Sequence, residues 1–267
     1  MTTTNKNKKQ FIYDSSSIVE RKKVLHCIYG VVNISNVFVI SNTGKYHMKQ
    51  NKPNQDYALA LEKGGISVVV LADGAGSFDA GGVAARLLVP EIVEWMSSNF
   101  LELYYCDGAI VRKRLVYLIT KLLRGYSEKH NLNSSDLACT LIAVAVDSKG
   151  RGIAFHLGDG IILRQRDQGT CCSVISSPEN GLTTSTTYLT MNCNMFEHCR
   201  FYRLQESGPF RLIAMTDGAA AHLVEQRGRD GWVYTGPCFW EEDPLVKYLK
   251  GVAPSDDYSL AILKSCP

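Results

Sequence analysis

The chain has 267 residues, enough for one large domain or two small ones, and its 45% hydrophobic and 21% charged residues are ordinary for a globular protein. Its formal net charge of +3 is too small to favour a nucleic-acid or membrane surface, so neither partner is expected. No apolar run approaches the roughly eighteen residues of a membrane span, and no clean signal-peptide cleavage site follows the early apolar segment, so a cytoplasmic protein is predicted.

The chain contains nine cysteines, but they follow no metal-binding or disulfide pattern. Cys171 and Cys172 are adjacent, and no C-x-x-C pair occurs. An odd number of cysteines in a chain of this length favours free thiols in a reducing compartment. A lone cysteine in an apolar run, such as Cys139, is typical of a small core residue, so no cysteine is given a catalytic role.

The first part of the chain is polar and basic, and residues 1–35 are predicted to be an N-terminal extension that is partly disordered or helical. The helix is expected where Ser16 or Ser17 precedes apolar residues at helical spacing. A single domain is predicted over residues 36–267. Its first strands are expected at 36–41, 57–63 and 65–73, the last two joined by a turn.

Two long helices are predicted next, because apolar residues recur at helical spacing over 83–100 and 108–130. Pro90 lies inside the first of these and implies a kink or a break. The remainder is mostly strand-like, with segments at 139–147, 152–166, 171–177, 211–217 and 258–264. Strands, two helices and further strands predict an α+β domain in layers, with mainly antiparallel sheet.

Acidic residues stand at the ends of several of these strands. Five Asp-Gly pairs occur, and each alone is an ordinary turn signal; they begin at Asp73, Asp107, Asp159, Asp217 and Asp230. Asp73 and Asp217 differ from the others because each ends a continuous apolar run typical of a strand buried on both faces. Asp256 and Asp257 directly precede a third such strand.

A carboxylate at the end of a buried strand costs free energy unless it is paired or bound to metal. Several carboxylates at one sheet edge would repel one another, and a divalent cation would remove that repulsion. Oxygen ligands without a nearby His or Cys cluster favour Mg²⁺ or Mn²⁺ over zinc. The residues alone leave two interpretations open, a metal cluster or unrelated turns in a binding module.

The order of short motifs adds a resemblance. "NQDYALAL", "VVVLADGAGS", "DLACTLIAVAV", "HLGDGIIL", "RLIAMTDGAA" and "SDDYSLAIL" resemble, in that order, the metal-dependent serine/threonine phosphatases of the protein phosphatase 2C (PPM) family. The resemblance covers roughly residues 36 to 263. The variants "DGAGS", "ACT" and "GDG" are most similar to the atypical stand-alone bacterial branch. Each motif alone is weak evidence, whereas six in order are strong.

The resemblance implies a four-layer α/β/β/α sandwich, with two central, mainly antiparallel sheets flanked by helices. It also implies two Mn²⁺ or Mg²⁺ ions. Asp73 would bridge the two ions, the Gly74 carbonyl would bind one, and Asp217 and Asp256 would hold the second. Asp56 would order metal-bound water, with Gln55 replacing the usual Glu. Asp257 stays open as an alternative to Asp256.

The same resemblance implies hydrolysis of phosphoserine and phosphothreonine in proteins by a hydroxide that bridges the two metals. Phosphorylated proteins are then the expected substrates, and a Ser/Thr kinase is a candidate partner. A catalytically weak or inactive scaffold of the same fold is the alternative. Intact Asp73, Asp217 and Asp256 argue against the scaffold, because inactive relatives typically lose metal carboxylates.

This chain departs from the family pattern in several positions. Ala75 stands where many members have a candidate general acid histidine; His47 is the nearest replacement, with a structural histidine as the alternative. Asn51 replaces a phosphate-binding arginine, which leaves Lys49 or Lys52 for the phosphate. The weaker candidates are Asp136 as ligand of a third metal and Asp159 beside the metal ligands. The polar segment 176–206 corresponds to a variable substrate-facing flap.

Overall fold

Two six-stranded antiparallel sheets lie face to face at the centre of the computed structural model. The structure describes residues 23–27, 30–34, 36–76, 80–166, 172–180, 187–227, 231–237 and 242–265. The first sheet has the order β1 (Lys23–Cys27), β4 (Tyr57–Lys63), β5 (Ile66–Ala72), β6 (Leu141–Asp147), β7 (Arg151–Leu157) and β10 (Arg200–Gln205). The second has the order β2 (Gly30–Ile34), β3 (Val37–Asn42), β14 (Tyr258–Ser265), β11 (Phe210–Met215), β8 (Ile161–Gln165) and β9 (Ser173–Ser176).

Helices cover the outer faces of both sheets. The described helices are α1 (Lys45–Lys49), α2 (Gly81–Tyr105), α3 (Gly108–His130), α4 (Met195–His198), α5 (Asp217–Leu223) and α6 (Glu242–Val252). The long α2 and α3 pack on the first sheet, and α5 and α6 pack on the second. A short hairpin, β12 (Val224–Arg227) and β13 (Gly231–Tyr234), follows α5. The predicted α+β, four-layer α/β/β/α sandwich is therefore confirmed.

The continuous apolar run of β5 is explained by burial on both faces. Val68 and Val70 pack against the helical layer, whereas Val69 and Leu71 pack into the core between the two sheets. Successive side chains of a strand point to opposite faces, so a strand in an inner layer needs apolar residues at every position. Asp73 therefore directly follows a rigid strand that is buried on both faces.

The N-terminal prediction is wrong in one respect. Residues 23–27 and 30–34, where the helix was expected, form β1 and β2, which pair with β4 and β3. The β-branched and apolar residues of this stretch extend the two sheets by one edge strand each. The rest of the predicted extension, residues 1–22, lies outside the described residues.

Two other elements differ from the sequence prediction. Helix α2 continues through Pro90 instead of breaking there, because it is held on one side by buried residues from Ala84 to Leu103. The polar segment 176–206 contains α4 and β10, neither of which was predicted. Strand β10 lies at the sheet edge, where its first three residues are all partly buried and its last three alternate between exposed and partly buried, which gives a weak apolar pattern. Among the described helices, none combines the length and apolar character that crossing a bilayer requires.

Candidate active site

Asp73 and Gly74 leave β5 at the point where β6 begins. The backbone N–H of Asp73 donates to the Thr140 hydroxyl at 3.1 Å, and the N–H of Thr140 donates to the Asp73 carbonyl at 2.8 Å. Gly74 must be glycine, since a Cβ there would lie 2.4 Å from the backbone of Gly81 at the start of α2. Three elements therefore fix the position of Asp73.

The Asp56 side chain lies near Asp73 and is 1% exposed. Its Oδ2 accepts a hydrogen bond of 2.9 Å from the hydroxyl of Thr216, the residue that precedes Asp217. Its Oδ1 is buried without a hydrogen-bond partner. A buried carboxylate oxygen without a donor is costly, so this atom indicates a group that the protein itself does not supply.

The carboxylates of this region act on one another. Burial, together with the charges of Asp217 and Asp257, raises the pKa of Asp56 to about 7, although hydrogen bonds from Ser259 and Thr216 act in the opposite direction. Burial likewise raises the pKa of Asp73 well above its usual range, with contributions from the nearby carboxyl groups of Asp56, Asp217 and Asp159. The structure thus brings Asp56 and Asp73 close together.

Asp217, the first residue of α5, belongs to the same group. Burial, together with the charges of Asp159 and Asp256, raises its pKa to about 7. Its Oδ1 accepts a hydrogen bond of 2.7 Å from the N–H of Gly218. We call five carboxylates the carboxylate edge, each of which repels at least one of the others; they are Asp56, Asp73, Asp159, Asp217 and Asp256.

Asp256 and Asp257 have different environments. Asp256 is exposed at the start of the loop into β14. Asp257 is 2% exposed, and its carboxylate already accepts hydrogen bonds from Gly44 N, His47 Nδ1 and Gln55 N at 2.8, 2.8 and 2.6 Å. Three donors occupy the Asp257 carboxylate, whereas Oδ1 of Asp256 accepts a hydrogen bond of 2.8 Å from the N–H of Asp257, so Asp256 is the exposed and less occupied carboxylate of the pair.

His47 is 7% exposed and is fixed by its contact with Asp257. This contact ties α1 to the loop that carries Asp256. Lys49 and Lys52 are exposed beside it, and the backbone N–H of Lys52 donates to the His47 carbonyl at 2.9 Å. Asn51 adopts a left-handed conformation with φ of 54° at this turn.

Asp159 lies in the turn between β7 and β8 and accepts a hydrogen bond of 2.6 Å from the Thr187 hydroxyl. This contact connects the predicted flap with the carboxylate edge, although residues 181–186 of the flap lie outside the described residues. Asp136 ends a short 3₁₀ helix, Ser134–Asp136, and Ala138 two residues later accepts a hydrogen bond of 3.0 Å from the N–H of Ala75. Asp136 is therefore two residues along the chain from a backbone contact with Ala75, which follows the candidate ligands Asp73 and Gly74.

The hydroxyl groups that contact the carboxylates were not predicted from the sequence. Thr216 contacts Asp56, and the N–H of Ser259 donates to the Thr216 hydroxyl at 2.9 Å. The signal for them was present, because the T-D-G and D-D-x-S motifs contain both residues. The expectation for the cysteines agrees with the structure at Cys139, whose thiol pKa is raised to about 12 by burial.

The donor set fits a hard divalent cation. It consists of carboxylates with a backbone carbonyl, and one buried carboxylate oxygen lacks a partner. As the side chains stand, no group of three His, Cys, Asp or Glu in the described ranges is already arranged as a metal site. The fit therefore depends on donor chemistry and mutual repulsion, since a cation lowers the cost of keeping these groups ionised.

A family model described as Protein phosphatase 2C matches residues 43–247. A solved bacterial serine phosphatase has a similar structure, with a TM-score of 0.62 and 14% identity over 85% of this chain and 96% of that chain. The S. agalactiae serine/threonine phosphatase has a TM-score of 0.59 and 16% identity over 92% and 100% of the two chains.

RsbX, solved in complex with magnesium, is similar at a TM-score of 0.53 and 11% identity, over 88% of this chain and 98% of that chain. At these identities the solved structures establish the shared fold. No curated protein matches the sequence significantly. The family match covers more than half of the chain and includes four of the five carboxylates.

Proposed function

The chain belongs to the protein phosphatase 2C family, and we propose that it hydrolyses phosphoserine and phosphothreonine in proteins, with Mn²⁺ or Mg²⁺ as cofactor. One observation carries this proposal. Burial and the charges of neighbouring aspartates raise the pKa values of Asp56, Asp73 and Asp217, and among the described residues the groups that shift them most include no cationic side chain. A protein that holds carboxylates in this way needs a cation from solution.

We assign the roles residue by residue. Asp73 and the carbonyl of Gly74 would hold one ion, with Asp73 shared by a second ion that Asp217 and Asp256 also hold. Asp56 would accept hydrogen bonds from water at these ions through its partnerless Oδ1. When bound, two divalent cations supply the charge that makes water nucleophilic near neutral pH and offsets the charge of the phosphoryl group.

Other residues would bind and orient the substrate. Lys49 and Lys52 are exposed near the edge and would attract the phosphoryl group as point charges. His47 as general acid stays a prediction, and its contact with Asp257 supports the structural alternative. Asp136 remains the candidate ligand of a third ion.

The decisive experiment is a metal titration of catalysis with the full chain. We expect hydrolysis of p-nitrophenyl phosphate and of a phosphothreonine peptide to need Mn²⁺ or Mg²⁺ and to stop when the metal is chelated. His47→Gln separates the two roles of that histidine. Loss of the basic limb of the pH–rate profile would support an acid role, whereas an unchanged profile with lower stability would support the structural one.

A negative result would favour the alternative function. A folded protein that binds Mn²⁺, detected as a rise in its unfolding temperature, but turns over neither substrate would be a phosphatase-fold scaffold. A protein whose unfolding temperature does not respond to either ion would contradict the metal site itself.

A further inference from the structure

Helix α1 presents large apolar side chains to solvent beside the carboxylate edge. Tyr46 is 59% exposed and Met48 is 55% exposed, although His47 between them is buried. Met48 also lines a cavity of about 340 Å³ together with residues of the α6 end and the loop that follows it. Two exposed apolar side chains beside such a cavity form a candidate contact surface.

Four ammonium groups lie around this surface. Lys45, Lys49 and Lys52 are exposed on α1 and the turn after it, and Lys250 from α6 lines the same cavity as Met48. Within the part of the chain that the structure describes, none of these four ammonium groups forms an ion pair. Their combined field favours an acidic ligand.

The surface is continuous with the candidate active site. The backbone N–H of Lys45 donates to the carbonyl of Pro254 at 3.0 Å, and that of Tyr46 donates to Ser255 at 2.9 Å. A Cβ at Gly44 would lie 2.1 Å from the carbonyl carbon of Asp256, so the start of α1 packs directly on this residue. An extended peptide advances about 3.3 Å per residue, so a few residues connect the two places.

We propose that Lys45, Tyr46, Met48 and Lys250, here called the α1 shoulder, dock an acidic segment of the phosphoprotein substrate beside its phosphorylated residue. The lysines attract the carboxylates of that segment, and the apolar side chains pack against its aliphatic and aromatic groups. This inference rests on the proposed function and adds a substrate preference to it. The preference is for acidic residues that flank the phosphoserine or phosphothreonine.

The test compares three substrates with the metal-loaded full chain. They are p-nitrophenyl phosphate and two phosphothreonine peptides, one with glutamates and one with lysines around the phosphorylated residue. The wild type is expected to prefer the acidic peptide, and the preference is expected to shrink between about 0.05 M and about 0.5 M NaCl, as screening increases. In Lys45→Glu/Lys250→Glu we expect kcat/KM for the acidic peptide to fall about five- to tenfold, while p-nitrophenyl phosphate hydrolysis is unchanged.

The matched control is Lys113→Glu/Lys121→Glu. It makes the same change of charge at exposed positions of α3, in the opposite helical layer, and is expected to leave the peptide preference intact. Met48→Ser tests the apolar part and is expected to raise KM for both peptides about threefold without changing kcat, because it removes only apolar packing.

Three results would overturn the docking role. They are equal losses on both peptides in Lys45→Glu/Lys250→Glu, the same loss in Lys113→Glu/Lys121→Glu, or a shift in sedimentation that shows self-association through the α1 shoulder. If the wild type hydrolysed nothing, the proposed function would fail on its own. The docking role would then be decided by fluorescence anisotropy, with tight binding of the labelled acidic peptide to the wild type and weak binding to the lysine variant supporting it.

Discussion

Two groups of acids among the described residues have different neighbours. At the carboxylate edge, Asp56 and Asp73 face other carboxylates. At the opposite ends of β6 and β7, Asp147 and Glu206 are each 7% exposed, yet arginines neutralise them. We call this second place the arginine edge, formed by Asp147, Arg151, Arg164, Arg166 and Glu206.

The pKa shifts separate the two edges. Hydrogen bonds from Arg166 and the charge and hydrogen bonds of Arg164 lower the pKa of Glu206, whereas burial and repulsion raise the pKa of Asp217 to about 7. Burial alone therefore does not identify a functional acid. What distinguishes the carboxylate edge is that, in the part of the chain that the structure describes, the groups with the largest effects on these pKa values include no counter-ion, which is expected of a site that takes its cation from solution.

The largest expected difference between the edges is in catalysis. Asp217→Asn should lower Mn²⁺-dependent hydrolysis of p-nitrophenyl phosphate by about 1000-fold, because it removes a proposed metal ligand worth about 4 kcal/mol of transition-state stabilisation. Glu206→Gln, an equally conservative change at the arginine edge, should keep kcat/KM within about twofold. Similar losses in both variants would mean that the carboxylate edge has no special role.

The architecture was largely predictable from local patterns. Apolar runs such as 66–72 and 210–215 have the length and composition of strands buried on both faces, and the order of motifs supplied the two-sheet arrangement. Strands β1 and β2 were missed because an edge strand has only one neighbour, and its register is fixed by long-range pairing with β4 and β3.

The site was predictable only as a set of residue types. The spacing of Asp73, Asp217 and Asp256 indicated carboxylates at strand ends. The choice between Asp256 and Asp257 depends on which of them receives the backbone N–H groups of Gly44 and Gln55, and these are more than 200 residues away along the chain. The Thr187–Asp159 contact is also set by tertiary structure, since no local pattern relates a loop threonine to a distant turn.

The next difference is in stability at the arginine edge. Glu206 accepts hydrogen bonds of 2.7 Å from Arg164 Nη1 and 2.8 Å from Arg166 Nε, so Glu206→Gln should lower the free energy of unfolding by about 2 kcal/mol in urea titrations. The folded pKa of Glu206 is lowered, so its contribution is present above the unfolded value near 4.5 and is lost as pH falls through the folded value. Glu206→Gln lacks this titrating carboxylate, so its free energy of unfolding should fall less than that of the wild type as the pH is lowered. An unchanged free energy of unfolding would show that these contacts are weak surface pairs.

The smallest effect is of opposite sign and belongs to the carboxylate edge. In chelator, Asp56→Asn should raise the free energy of unfolding by about 1 kcal/mol, because it removes a repelling charge and places an amide N–H near Asp73. The raised pKa values mean that the folded, metal-free protein binds more protons than the unfolded chain between about pH 4 and 7. Its stability should therefore decrease as pH rises through this window, and less steeply in the variant.

Saturating Mn²⁺ should make the wild type more stable than Asp56→Asn, because only the wild type keeps all the acids that offset the cation's charge. Urea titrations at pH 5 and 7, with chelator and with Mn²⁺, measure both signs. A variant less stable than the wild type in chelator would indicate that Asp56 is held by Thr216 as a structural acid, like those of the arginine edge.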